Sequence, residues 1–163
     1  MQLITTRDAT KVTGLSTEQL REWTSRRALI PADIRPKGHG SPARFSWQTI
    51  LLLRLAVIFR DRFKLELQAH RELFSDLREG LSSLQFASLW GKSLALHGEQ
   101  RWTLVDAGDA LDPVGDCIVL RLDSHLEILA GAFSLPLPKV SEQFKLFSTA
   151  VIGTDEVAVV GGR

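Results

Sequence analysis

The chain has 163 residues, 44% of them hydrophobic and 24% charged, a balance that excludes global disorder and limits the fold to one sizeable core or two modest units. Its 20 Lys and Arg nearly match its 19 Asp and Glu. Residues 1–64, however, carry 12 basic against 5 acidic side chains and residues 65–163 carry 8 against 14, the asymmetry expected where one end of a molecule meets a polyanion.

In chain order, Thr5 or Thr6 is a cap for a short first helix with Ala9 and Val12 as its apolar positions, and Gly14 supplies the left-handed residue that ends it. Leu15 fills the turn. Ser16, followed by Thr17, Glu18 and Gln19, opens a second helix whose apolar face is Leu20 and Trp23. Two short helices across Thr13-Gly14-Leu15 predict a helix-turn-helix. Pro31 closes this region, and Pro36, Gly38, Gly40 and Pro42 exclude a regular element between Asp33 and Ala43. A β-loop or wing is expected there, with Arg35 and Lys37 entering its tip and Arg44 and Phe45 leaving it.

Ser46 then precedes an apolar helix, Trp47 to Phe63, so broadly hydrophobic that it needs two partners. Its longest apolar run, Ile50 to Phe59, is interrupted by Arg54 and falls short of the roughly 20 residues that span a bilayer. With no secretory signal at the N-terminus and Cys117 as the one cysteine, nothing requires an oxidising compartment. A cytoplasmic protein without a membrane partner is expected. Glu66 to Glu79 reads as an amphipathic helix with Leu73, Phe74 and Leu77 inward, stopped by Gly80, and Ser82 or Ser83 starts another that ends near His97-Gly98.

Beyond Gly98 the composition changes. Arg101 to Val105 and Cys117 to Leu122 have strand character, Asp106 to Asp116 reads as a loop, and Ser124 to Glu127 fits a capping box leading into Leu126, Leu129, Ala130 and Phe133 at helical spacing. Pro136 and Pro138 break that helix, Phe144, Leu146 and Phe147 dock back on the body, and residues 154–163 form a loose tail. The expected fold is mainly α. A winged helix-turn-helix occupies residues 1–64, a helical linker or dimerisation region 65–97, a small α+β effector or assembly region 98–153, and a flexible tail the rest.

Over residues 3–63 the chain resembles the MerR-type winged helix-turn-helix regulators. The matching stretches are Thr5-Thr6-Arg7-Asp8-Ala9, Gly14-Leu15-Ser16 at the turn, Leu20-Arg21-Glu22-Trp23 in the second helix, Ala28-Leu29-Ile30-Pro31 after it, and Arg44-Phe45-Ser46 before the third. Glu22 and Trp23 stand where the family tends to carry two aromatics, and Glu18 where it tends to carry a base. The resemblance implies a DNA-binding regulator that bends or untwists promoter DNA.

The candidate contacts follow from side-chain chemistry. The Arg21 guanidinium matches guanine O6 and N7, and the Gln19 carboxamide matches adenine N6 and N7. Ser16 and Thr17 hydroxyls suit a phosphate oxygen. Lys37, His39 and Arg44 would meet backbone or minor groove from the wing, and Arg7, Arg26 and Arg35 complete the cationic set. Trp23, Phe45 and Trp47 read as packing residues, and Cys117 as a small buried hydrophobe. Asp106, Asp109, Asp112 and Asp116 lack the spacing of a calcium loop, and His39, His70, His97 and His125 lack metal-ligand spacing. Neither a nucleophile elbow nor a P-loop nor a dinucleotide fingerprint occurs, so no catalytic residue, metal or cofactor is expected. The expectation is a homodimeric, sequence-specific regulator of double-stranded DNA, with a protein partner or small effector at the C-terminal region. The alternative is an architectural, excisionase-like or chromosome-organising scaffold that recruits a protein partner.

Overall fold

The computed structural model describes residues 2–36, 38, 41–98, 101–106 and 116–138. A short strand β1 (Ile4–Thr5) leads into α1 (Thr6–Thr13). The Thr5 side chain accepts from the Asp8 N–H at 3.3 Å and donates to the Asp8 carboxylate at 2.7 Å, supplying one of the partners that a helix start lacks. Gly14, at φ 76°, ends α1 in the left-handed conformation and donates its N–H to Thr10 O. Helix α2 (Thr17–Arg21) follows and continues as a π-helical turn, Glu22–Arg26.

Strand β2 (Arg44–Phe45) returns antiparallel to β1, pairing Ile4 with Phe45 and Thr5 with Arg44. One further bridge joins Ile34 to Arg44. Among the described residues no wing hairpin is formed, so a winged helix-turn-helix is not shown: β2 is paired with the strand before α1, and a single bridge closes the Pro/Gly loop. Lys37, His39 and Gly40 lie outside the described residues.

Helix α3 (Trp47–Asp61) is the axis of the molecule. Ser46 caps it, and Asp33 accepts from both the Ser46 N–H at 2.7 Å and its hydroxyl at 3.1 Å. Ile50, Leu51, Leu52, Leu53 and Ala56 are fully buried, because α1, α4 (Arg71–Ser82) and α5 (Asp123–Phe133) all pack around α3. The second apolar face is therefore covered by this chain's own helices. The two partners that its breadth predicts thus lie within the chain.

The C-terminal half corrects the expected fold class. Residues Ser82 to Leu96 do not form a helix: after α4 comes a 3₁₀ turn, Phe86–Leu89, and then β3 (Lys92–His97), the central strand of an antiparallel sheet ordered β4-β3-β5. Strands β4 (Arg101–Asp106) and β5 (Ile118–Arg121) flank it. Leu94 pairs with Leu104 on one side and Leu120 on the other, and Leu96 with Trp102 and Ile118. This period-two row of apolar residues packs on the common core. The fold is α+β, with two small antiparallel sheets and five α-helices among the described residues, and not mainly α.

Gly80 does not stop α4; it lies inside it. A Cβ at this position would stand 2.3 Å from the Trp102 ring, so α4 meets the sheet where it has no side chain. At α5 the Ser124 capping box is not formed. Leu122 is the cap residue, without a side-chain bond, and Asp123 accepts from the Gly91 N–H at 2.8 Å, tying the helix start to the turn before β3. Leu126, Leu129, Ala130 and Phe133 are buried as their spacing predicts, and Ser134, at φ 50°, ends the helix. Most of the loop between Asp106 and Asp116, the docking segment Phe144 to Phe147 and the tail from residue 154 lie outside the described residues. One apolar cluster runs from Ile4 to Phe133.

Candidate nucleic-acid interface

The α1–α2 unit is held mainly by its own short-range bonds. Ser16 caps α2 by accepting from Gln19 N–H at 3.1 Å, while the Gln19 side-chain oxygen accepts from Ser16 N–H at 3.0 Å. This reciprocal capping box fixes the turn, and it engages two of the residues expected to reach DNA. Gln19 thus has a structural role in the turn, with its carboxamide oxygen accepting one bond from the backbone. The signal was present in the sequence as Ser-x-x-Gln. Leu15 is buried beneath the turn, and the Thr13 hydroxyl donates to Ala9 O at 2.7 Å while accepting from Leu15 N–H at 3.3 Å.

Arg21 and Thr17 are exposed on α2, and among the described residues Arg21 has no ion pair. Arg21 borders an open groove of about 580 Å³ between α2 and the Pro/Gly loop, which Thr6, Thr24, Ser25, Ser41 and Pro42 also line. Glu22 lies 2.7 Å from Arg27 and 3.6 Å from Arg26, so part of the Arg26 charge is offset within the π-helical turn. Arg7, on the first turn of α1, and Arg35, entering the loop, are exposed. Arg44 is half-buried in β2, its backbone bonded to Ile34 in both directions at 3.0 and 3.2 Å. Lys37 and His39 are outside the described residues.

Trp23 is buried, as a packing residue, with the Arg60 guanidinium 4.9 Å from its ring centroid. This contact joins the π-helical turn to the end of α3. Phe45 and Trp47 are buried, Trp47 lying edge-on to Phe86 at 5.2 Å between centroids. Cys117 is half-buried, at the margin of a cleft of about 260 Å³ that Leu65, His70, Leu73 and Ile118 also line. Among the described residues no group of His, Cys, Asp and Glu could hold a metal ion, and no helix is long and apolar enough to cross a membrane.

Two long-range guanidinium contacts fix this N-terminal unit to the rest of the chain, and sequence reading finds neither partner set. Arg78 of α4 donates to Pro31 O and to Asp33 at 3.2 Å, so Asp33 links α4 to the cap of α3. Arg54 of α3 donates from Nε to His125 Nδ1 at 3.1 Å and from its terminal nitrogen to Val12 O. Burial and the Arg54 and Arg62 charges push His125 down to about 4, so it is neutral near pH 7 and accepts at Nδ1. The available signal was Arg54 itself, a charge inside an apolar run, which needs partners when buried.

Comparison of the sequence with models of protein families and with curated proteins found no match.

Proposed function

We propose that the basic N-terminal half binds double-stranded DNA and that the protein is a sequence-specific transcriptional regulator of the kind the MerR-type resemblance implies. The observation that carries this reading is Arg21: an exposed guanidinium without an ion pair among the described residues, on a short capped helix bordering an open groove. A guanidinium in that state is available to the O6 and N7 of a guanine in the major groove. Thr17 supplies a neighbouring hydroxyl for a phosphate oxygen. The exposed Arg7 and Arg35, with the excess of base over acid in residues 1–64, support an electrostatic footprint on a phosphate backbone. The Gln19 carboxamide is anchored through its oxygen by the capping box, so Arg21 carries the proposed base reading. Base recognition therefore rests on few side chains per subunit, and a pair of half-sites read by two copies would lengthen the site.

The test is selection of duplexes from a random library followed by affinity measurement with Arg21→Ala. The substitution should weaken the selected duplex by about 1–3 kcal/mol while leaving binding to unselected duplex nearly unchanged. Equal affinity of parent and variant for the selected duplex would remove Arg21 from the interface.

A further inference from the structure

The Arg54 contacts converge on the place where the α1–α2 geometry is set. Val12 lies in the last turn of α1, whose final carbonyls have no partner inside the helix. Local bonds satisfy the N–H groups around the turn: Gly14 to Thr10 O, Leu15 to the Thr13 hydroxyl and Ser16 to the Gln19 side chain. The Val12 carbonyl receives its bond from outside the helix pair, from Arg54. The same guanidinium is held by His125 of α5, a buried side chain 71 residues further along the chain. Arg54 is half-buried between the buried Leu53 and Leu55, and its guanidinium bonds to both of these groups.

The geometry points to Arg54 as a positioning residue for DNA reading: it clamps the end of α1 to His125, so that the seating of α5 sets the orientation of the α1–α2 turn. This inference rests on the DNA-binding reading for its consequence, but its mechanical part stands on the free protein. A side chain that only filled space would tolerate loss of its acceptor through general loosening. A clamp transmits the loss to the turn, because the Val12 carbonyl beside it then lacks its donor. Coupling of this kind is carried by a discrete hydrogen-bonded path, and a double-substitution cycle measures it.

The test uses the full chain with His125→Leu, which removes the acceptor, His125→Asn, which keeps one, and Arg54→Lys, which keeps the charge but loses the fork. Backbone amide exchange at residues 13–16 is measured without DNA and compared with global stability from urea unfolding. His125→Leu and Arg54→Lys should raise exchange at the turn by about tenfold more than the change in global stability accounts for, and His125→Asn should stay close to the parent. If turn exchange merely follows global stability in every variant, or if Asn and Leu at position 125 behave alike, the clamp is overturned. Should His125→Leu fail to fold, Arg54→Lys against the parent decides the same point. With the selected duplex, His125→Leu should bind about tenfold more weakly than His125→Asn; equal affinities would overturn the link to DNA reading. A parent that binds no duplex while turn exchange responds as described would refute the DNA reading and leave the clamp supported.

Discussion

The region from Ile4 to Phe45 and the region from Lys92 to Phe133 reach a folded state by different routes. In the first, most of the order is local: the Thr5 cap, the Gly14 turn and the Ser16–Gln19 capping box each join residues within a few positions of one another. In the second, order comes from pairing at a distance, with β3 bonded on both sides to strands that follow it, and α5 tied by Asp123 to Gly91. The locally ordered region leaves polar and cationic side chains free on its surface, whereas the sheet and α5 turn their apolar rows into the core. Short, self-capped helices depend on a scaffold elsewhere for their stability. Here that scaffold is α3, against which both regions pack.

The comparison breaks most severely if the two regions unfold separately. Phe133→Ala, at a fully buried position of α5, should cost about 3–5 kcal/mol, and because one core joins the regions, circular dichroism and tryptophan fluorescence should show a single transition in urea. Two separated midpoints would mean that the N-terminal region stands without the sheet.

The next effect concerns acidity. His125 is held down to about 4 in the folded chain, against about 6.5 when unfolded. The unfolded chain therefore binds the extra proton between these values, and stability is full above about pH 6.5 and falls as pH drops toward 4, by on the order of 3 kcal/mol from this group. His125→Asn should flatten the fall over that window in urea titrations at stepped pH. An equal pH slope in the variant would place the acid sensitivity elsewhere.

A smaller effect sharpens the contact between α4 and the sheet. Gly80→Ala should destabilise by about 1–3 kcal/mol, since the new methyl would meet the Trp102 ring. Placing Leu at position 102 alongside it should recover part of the loss. A stabilised Gly80→Ala, measured by urea unfolding, would show that helix propensity outweighs the close approach.

These contrasts also explain what the sequence made legible. Caps, the Gly14 turn and the inward positions of α5 depend on residues near one another in the chain, and each follows from local chemistry. Residues 92–97, Lys-Ser-Leu-Ala-Leu-His, carry good helix formers and become a strand because Leu94 and Leu96 gain partners on both sides; that is a long-range fact overriding propensity. Gly80 resembles a helix stop until Trp102, 22 positions later, is seen against it. The same holds for the candidate site. Arg21 and Thr17 are exposed, Gln19 also closes a capping box that its own spacing encoded, and the Arg54–His125 contact needs the folded chain to exist.

The central claim is that the basic half meets a phosphate backbone, and the salt dependence of duplex binding tests it most directly. Titrating a labelled duplex with the full chain at increasing salt should give an affinity that falls steeply, with a slope made shallower by about two units in the Arg7→Ala, Arg35→Ala double variant, because each exposed guanidinium that neutralises a phosphate releases close to one counterion. Binding with no salt dependence, or a slope identical in parent and double variant, would contradict the account.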